Sequence, residues 1–137
     1  MVDTVSVSER YKTAETRAGG RYANDVKTSR HHLYVDEPAS YGSSDIGPTP
    51  FEYLAAALGG CTTITLRMYS ERKKWPVDHI AVDVKTRRED GRQIFVRELT
   101  LIGDLDDAQR ARLVEIANKC PVHKVLMQGA EIETQLA

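Results

Sequence analysis

Two cysteines, Cys61 and Cys120, carry the most reactive side chains in this sequence, and they lie far apart along it. A thiolate attacks electrophiles, and its reactivity depends on a nearby cation or hydrogen-bond donor. A second thiol can close a disulfide on an oxidised first one. Each cysteine also has a plainer reading as a small buried hydrophobe on the apolar face of a helix. Cys61 follows Gly59 and Gly60 inside the uncharged run Tyr53–Leu66. Two glycines in a helix interior cost about 1 kcal/mol each relative to alanine. They therefore imply a close backbone approach there, by another helix, a partner subunit or a substrate.

The other reactive groups suggest less. Cys120 and His123 have a two-residue spacer that could be half of a metal site, but a structural zinc site takes four ligands in closely spaced pairs. Cys61 has no neighbouring histidine to complete such a set, so no metal is expected. His123 reads instead as a helix-end residue or a pocket wall beside Cys120. His31 and His32 point to opposite faces of a regular strand, and His79 begins a strand without a visible partner. Residues 42–47, GSSDIG, lack the Lys-Ser/Thr of a phosphate-binding loop, and no dinucleotide fingerprint occurs. No cofactor is expected.

The elements that must hold the cysteines follow from the pattern. The first third reads as short strands with Gly19–Gly20 as a turn, followed by a loop from Pro38 to Pro50. Leu33 and Val35 share one strand face. Thr49, Pro50 and Glu52 form a T-x-x-E helix start with proline at the first position. That helix should run to about Lys73 or Trp75, because Pro76 forbids continuation. Phe51, Leu54, Leu58, Cys61, Thr65 and Met68 follow a 3–4 spacing, and the uncharged run suggests burial nearly all round.

Ile80, Val82 and Val84 then alternate in a strand. Asp90–Gly91 marks a two-residue hairpin, and "RQIFVRELTLIG" returns as its partner. A second helix starts near Asp106 with Gln109 as capping partner. Leu113, Ile116, Ala117 and Cys120 would form its apolar face, and Pro121 ends it or opens a short turn. "EIETQL" reads as a closing strand. Since helices and strands do not alternate regularly, the fold class is α+β, in one domain spanning 1–137.

Composition narrows the function classes. The net charge is −1, and the densest basic cluster is the short Arg72–Lys74. This is no footprint for nucleic acid. The uncharged run falls short of the ~20 apolar residues that span a bilayer, and the N-terminus has no apolar signal core. A cytoplasmic protein is expected, where a permanent disulfide is rare and a transient redox pair is one of the exceptions.

The stretch "DEPASYGSSDIGPTPFEYLAAALGGCTTITLRMY", followed by "KCPVHKVL", resembles the OsmC/Ohr superfamily of osmotically inducible and organic-hydroperoxide-resistance proteins, and within it the OsmC-like branch. The resemblance implies two antiparallel sheets around two central helices, in an intertwined homodimer. It also implies a thiol peroxidase that reduces organic hydroperoxides in oxidative or osmotic stress defence. By motif position Cys61 would attack the peroxide and Cys120 would resolve the resulting sulfenic acid as a disulfide. Arg21, after the Gly-Gly turn, would stabilise the thiolate, with Arg30 as the fallback cation. Glu52 would orient that arginine. Phe51, Leu54, Leu58, Met127 and His123 would line an apolar substrate pocket. A dithiol reductant, lipoyl groups in the best-known cases, would reset the enzyme. Two positions depart from the peroxidase pattern: Phe51 stands where those proteins carry glutamate, with Glu52 one residue later, and "PVH" follows the second cysteine. These departures motivate an alternative, an OsmC-like module that binds a small ligand with little or no peroxidase activity.

Overall fold

A computed structural model describes residues 4–137. The chain is α+β, with two small antiparallel sheets and three α-helices among the described residues. It forms two compact units, Met1–Leu54 and Ala55–Ala137.

The first unit holds a three-stranded sheet in the order β1 (Ser6–Glu9), β2 (Asn24–Lys27), β3 (His32–Val35). Ser6 pairs with Lys27, and Lys27 with His32. A single 3-10 turn, Ala39–Tyr41, lies in the loop that follows. Buried Asp36 organises that loop. Its Oδ1 accepts from Glu37 N–H at 2.7 Å and from the Ser43 hydroxyl. Its Oδ2 accepts from Ser44 Oγ at 3.0 Å and Ile46 N–H at 3.1 Å. Burial pushes the carboxyl towards its neutral form, but these donors outweigh it and hold the group below the usual 3.8.

Helix α1 (Pro50–Lys73) starts where its sequence predicts, with the Thr49 half of the expected capping box formed. Thr49 Oγ1 accepts from Glu52 N–H at 3.2 Å, and Thr49 C=O accepts from Tyr53 N–H at 3.0 Å. The buried stripe differs from the expected one. Leu58, Thr62, Leu66, Tyr69 and Ser70 are buried, whereas Phe51, Leu54 and Met68 are exposed and Cys61 is partly buried. Of the expected stripe Leu58 is buried, and Cys61 and Thr65 are half-buried. The face that packs instead includes Thr62 and Ser70, and the helix is not enclosed all round.

In the second unit β4 (Val77–Glu89) and β5 (Arg92–Gly103) form a long hairpin. Asp90 and Gly91 close it with φ of 51° and 74°, the left-handed pair that a two-residue turn requires. Ile80, Val82 and Val84 stand opposite Leu101, Leu99 and Arg97, so these six side chains share one sheet face. Ile80, Leu99 and Leu101 pack on a core of Leu66, Tyr69, Val77, Leu113, Ile116 and Ala117. Arginines tie the helices to the strand ends: Arg67 donates to Val77 C=O at 2.7 Å, and Arg110 to Leu101 C=O at 2.8 Å.

Helix α2 (Asp107–Ala117) carries the expected capping box: Asp106 Oδ1 accepts from Gln109 N–H at 2.7 Å, and Gln109 Oε1 from Asp106 N–H at 2.9 Å. Two expectations for the C-terminal end are corrected. Cys120 is not on α2; it is the N-cap of a third helix, α3 (Pro121–Gln128), because Pro121 suits a first helical position. The segment "EIETQL" has no regular structure. A strand exists only by pairing, and among the described residues this segment has no such partner. Its Ile132 and Leu136 are exposed.

Candidate thiol site

Cys120 is fully buried, and its sulfur lies at a junction of three helices and a strand. From α1, Thr62 Oγ1 approaches Cys120 Sγ at 3.9 Å. From β5, Arg97 Nη1 approaches it at 4.0 Å. From the first turn of α3, His123 N–H donates to it at 3.3 Å. The N-terminal dipole of α3 and the guanidinium both favour negative charge at this sulfur.

Arg97 is the hub of the junction. Its Nη1 donates to Thr62 Oγ1 at 3.0 Å and Ala117 C=O at 3.1 Å. Its Nη2 donates to Asn118 Oδ1 at 2.9 Å and meets His123 Nδ1 at 3.2 Å. Two of these acceptors belong to the C-terminal end of α2, where a cation is favoured. Among the described residues no carboxylate forms an ion pair with Arg97. All its hydrogen-bond acceptors are neutral, and the ionisable acid beside it is a thiol.

The protonation of two neighbours follows from donor counting. A guanidinium only donates, so His123 Nδ1 accepts and the ring proton sits on Nε2. Burial, and then the positive charge of Arg97, push the His123 pKa below its ordinary 6.5, in keeping with a neutral ring. Thr62 has one hydroxyl proton, and it goes to Leu58 C=O at 2.6 Å. Its oxygen is then free to accept from Arg97.

Arg97 and Thr62 were not legible as site residues from the cysteine motifs. A signal for Arg97 was present. In "FVRELTL", Phe95, Leu99 and Leu101 hold one register of period two, and Arg97 occupies the same register. A charge on the inward face of a strand marks a buried polar partner.

The sequence-derived candidates fall as follows. Cys120 and His123 meet at the junction, and Cys61, partly buried, is the residue next to Thr62. Leu58 is buried one turn before Thr62, and Met127 on α3 is exposed. Arg21, Glu52, Phe51 and Leu54 belong to the first unit. Arg21 stacks over the Tyr22 ring at 5.3 Å and lines a cleft with Glu9, Arg17 and Gly42. Arg30 is exposed, as are Glu52, Phe51 and Leu54.

A groove of about 360 Å³ runs between α1 and β4, lined by Ala55, Ala56, Gly59, Gly60, Thr63, Val82 and Val84. A Cβ at Gly59 would stand 3.4 Å from Val84 Cγ2, an ordinary contact, so the packing of α1 on β4 does not by itself require glycine there. Gly60 faces open space.

A family model described as OsmC-like protein matches residues 42–135, a span that holds both cysteines, Arg97 and His123. The chain belongs to the OsmC-like family. Solved structures of low sequence identity share the fold. An OsmC-like protein from Mycoplasma pneumoniae is 14% identical with a TM-score of 0.71, covering 95% of this chain and 89% of that one. The organic hydroperoxide resistance protein OhrB of Bacillus subtilis is 20% identical with a TM-score of 0.61, covering 94% and 93%. An organic hydroperoxide resistance protein from Elizabethkingia anophelis is 18% identical with a TM-score of 0.66, covering 94% and 90%. A search of curated proteins returned no match. Among the described residues of this OsmC-like chain, no helix is long and apolar enough to cross a membrane.

Proposed function

We propose that this OsmC-like chain is a thiol peroxidase that reduces organic hydroperoxides, in oxidative or osmotic stress defence. Cys61, the partly accessible thiol, attacks the peroxide. Sulfur takes the terminal oxygen, the O–O bond breaks, and an alcohol leaves as Cys61 becomes a sulfenic acid. Cys120 then closes a disulfide on it, and a dithiol reductant of the lipoyl type restores both thiols. Arg21 and Glu52 serve the first step, as the family pattern implies, and the working form is a cytoplasmic homodimer. The observation that carries this reading is that the Cys120 sulfur packs on the turn of α1 that holds Cys61, with Thr62 Oγ1 at 3.9 Å from it, while Cys61, about 100° round the helix from Thr62, stays partly accessible. The names of the hydroperoxide resistance proteins that share the fold support the substrate class.

Consumption of cumene hydroperoxide in the presence of a dithiol reductant tests the proposal. Cys61→Ser should abolish turnover, and a variant as active as the native protein would refute it. The groove beside Gly59 and Gly60 favours a second reading, a small-ligand-binding module. Intact mass after one equivalent of peroxide separates the two. A rapid loss of two hydrogens marks the Cys61–Cys120 disulfide, and an unchanged mass marks the module.

A further inference from the structure

We infer that Arg97 is a positioning residue for the second half of the cycle, holding the Cys120 sulfur in place and meeting the negative charge it takes on as it attacks oxidised Cys61. The inference rests on the peroxidase reading above. The geometry divides the labour between the cysteines. The arginine that reaches a cysteine sulfur across the second unit's core is Arg97, and the sulfur is that of Cys120. Arg97 comes from β5, while Cys120 caps α3, so the contact is made by tertiary packing.

Three features support a positioning role over a purely structural one. Arg97 is anchored at four points around the sulfur, on Thr62, Ala117, Asn118 and His123. None of those anchors carries a negative charge, so the guanidinium charge is not spent on a carboxylate. A backbone N–H at 3.3 Å adds a second donor on the sulfur. An uncompensated, part-buried cation is costly unless an anion forms beside it. At this junction the group that can form one is the Cys120 thiol.

In the closing step the Cys120 thiolate attacks the sulfenic sulfur of Cys61. An S–S bond forms and the S–O bond breaks. The departing hydroxide takes up a proton, equivalent to the one Cys120 released on ionising, and leaves as water. The oxidant is the organic hydroperoxide of the first step, so electrons and atoms balance. Arg97 touches neither the peroxide nor the sulfenic oxygen in this scheme; it acts through Cys120.

The test separates the two chemical steps. Native protein and Arg97→Gln, Arg97→Lys and Asn118→Ala variants are mixed with one equivalent of cumene hydroperoxide. Sulfenic acid at Cys61 is trapped with dimedone, and disulfide formation is followed by mass. Arg97→Gln should form the Cys61 sulfenate at the native rate but close the disulfide at least about tenfold more slowly, because the positive charge beside the attacking sulfur is lost. The dimedone adduct should therefore accumulate. Arg97→Lys should restore part of the rate, and Asn118→Ala should slow closing by less than Arg97→Gln. If Arg97→Gln does not fold, the Lys and Asn118 variants carry the test, and native closing rates in both overturn the inference. Equal slowing of sulfenate formation and closing in Arg97→Gln also overturns it, since that is the mark of general damage. If native protein forms no Cys61–Cys120 disulfide, the peroxidase reading falls and takes this inference with it. If it does, and Arg97→Gln closes as fast, only the role of Arg97 falls.

Discussion

Replacing Thr62 with valine tests the energetic logic of the junction most directly. Thr62 is fully buried, and valine keeps its volume and branching. The helix barely notices the change, since both residues are β-branched. Leu58 C=O loses the hydroxyl donor at 2.6 Å but keeps its backbone partner within α1. The main loss falls on Arg97, whose Nη1 loses the acceptor at 3.0 Å. A hydrogen bond to a charged group contributes about 1.5–3 kcal/mol. The added buried methyl returns up to about 0.8 kcal/mol. The net cost should be about 1–2 kcal/mol, a fall in Tm of roughly 4–8 °C for a chain of this size. Thermal unfolding of native, Thr62→Val and Thr62→Ser proteins reads this out. Thr62→Ser keeps the hydroxyl and loses a methyl, costing about 1 kcal/mol. The two variants then part in the peroxide reaction, where serine should keep the native rate of disulfide closure and valine should slow it. A Thr62→Val protein as stable as the native one would refute the claim that Arg97 depends on this hydroxyl.

Three further outcomes follow from the same structure. His123 has a folded pKa below its ordinary 6.5, so the unfolded chain binds its proton first. The associated stability is present above about pH 6.5 and is lost as pH falls through the lowered folded value; Tm measured against pH should show this decline, and His123→Gln should remove its share. Asp36→Asn should destabilise the first unit by about 3 kcal/mol, because an amide donor then faces two of the four donors that the carboxylate accepts; denaturant titration checks it, and native-like stability would refute it. Gly103→Ala should prevent native folding or cost more than about 3 kcal/mol, since its Cβ would fall on the Pro76 carbonyl oxygen, which is backbone and cannot turn away; yield and circular dichroism decide.

Local signals in the sequence determined much of this protein. Thr49–Pro50 starts α1, Asp106 with Gln109 starts α2, and Asp90–Gly91 closes the β4–β5 hairpin. Each is a short-range rule of capping or turn geometry, needing no knowledge of distant residues. The two cysteine motifs with their spacing were likewise legible, and with them the family. The tertiary structure decided what surrounds the thiols. Spacing along α1 pointed to Phe51, Leu54, Leu58 and Met68, but beyond Leu58 the packed face runs through Thr62 and Leu66, because a polar side chain can be buried once β5 supplies its partner. The strand expected near the C-terminus did not form, since pairing depends on a neighbour that no local pattern provides. Cys120 moved from the flank of one helix to the cap of the next, where backbone and side-chain donors converge on its sulfur. Arg97 lies 36 residues beyond Cys61 and 23 before Cys120, a separation over which no periodicity connects them. Its contact with the Cys120 thiol exists only because a hairpin and three helices close around the same point.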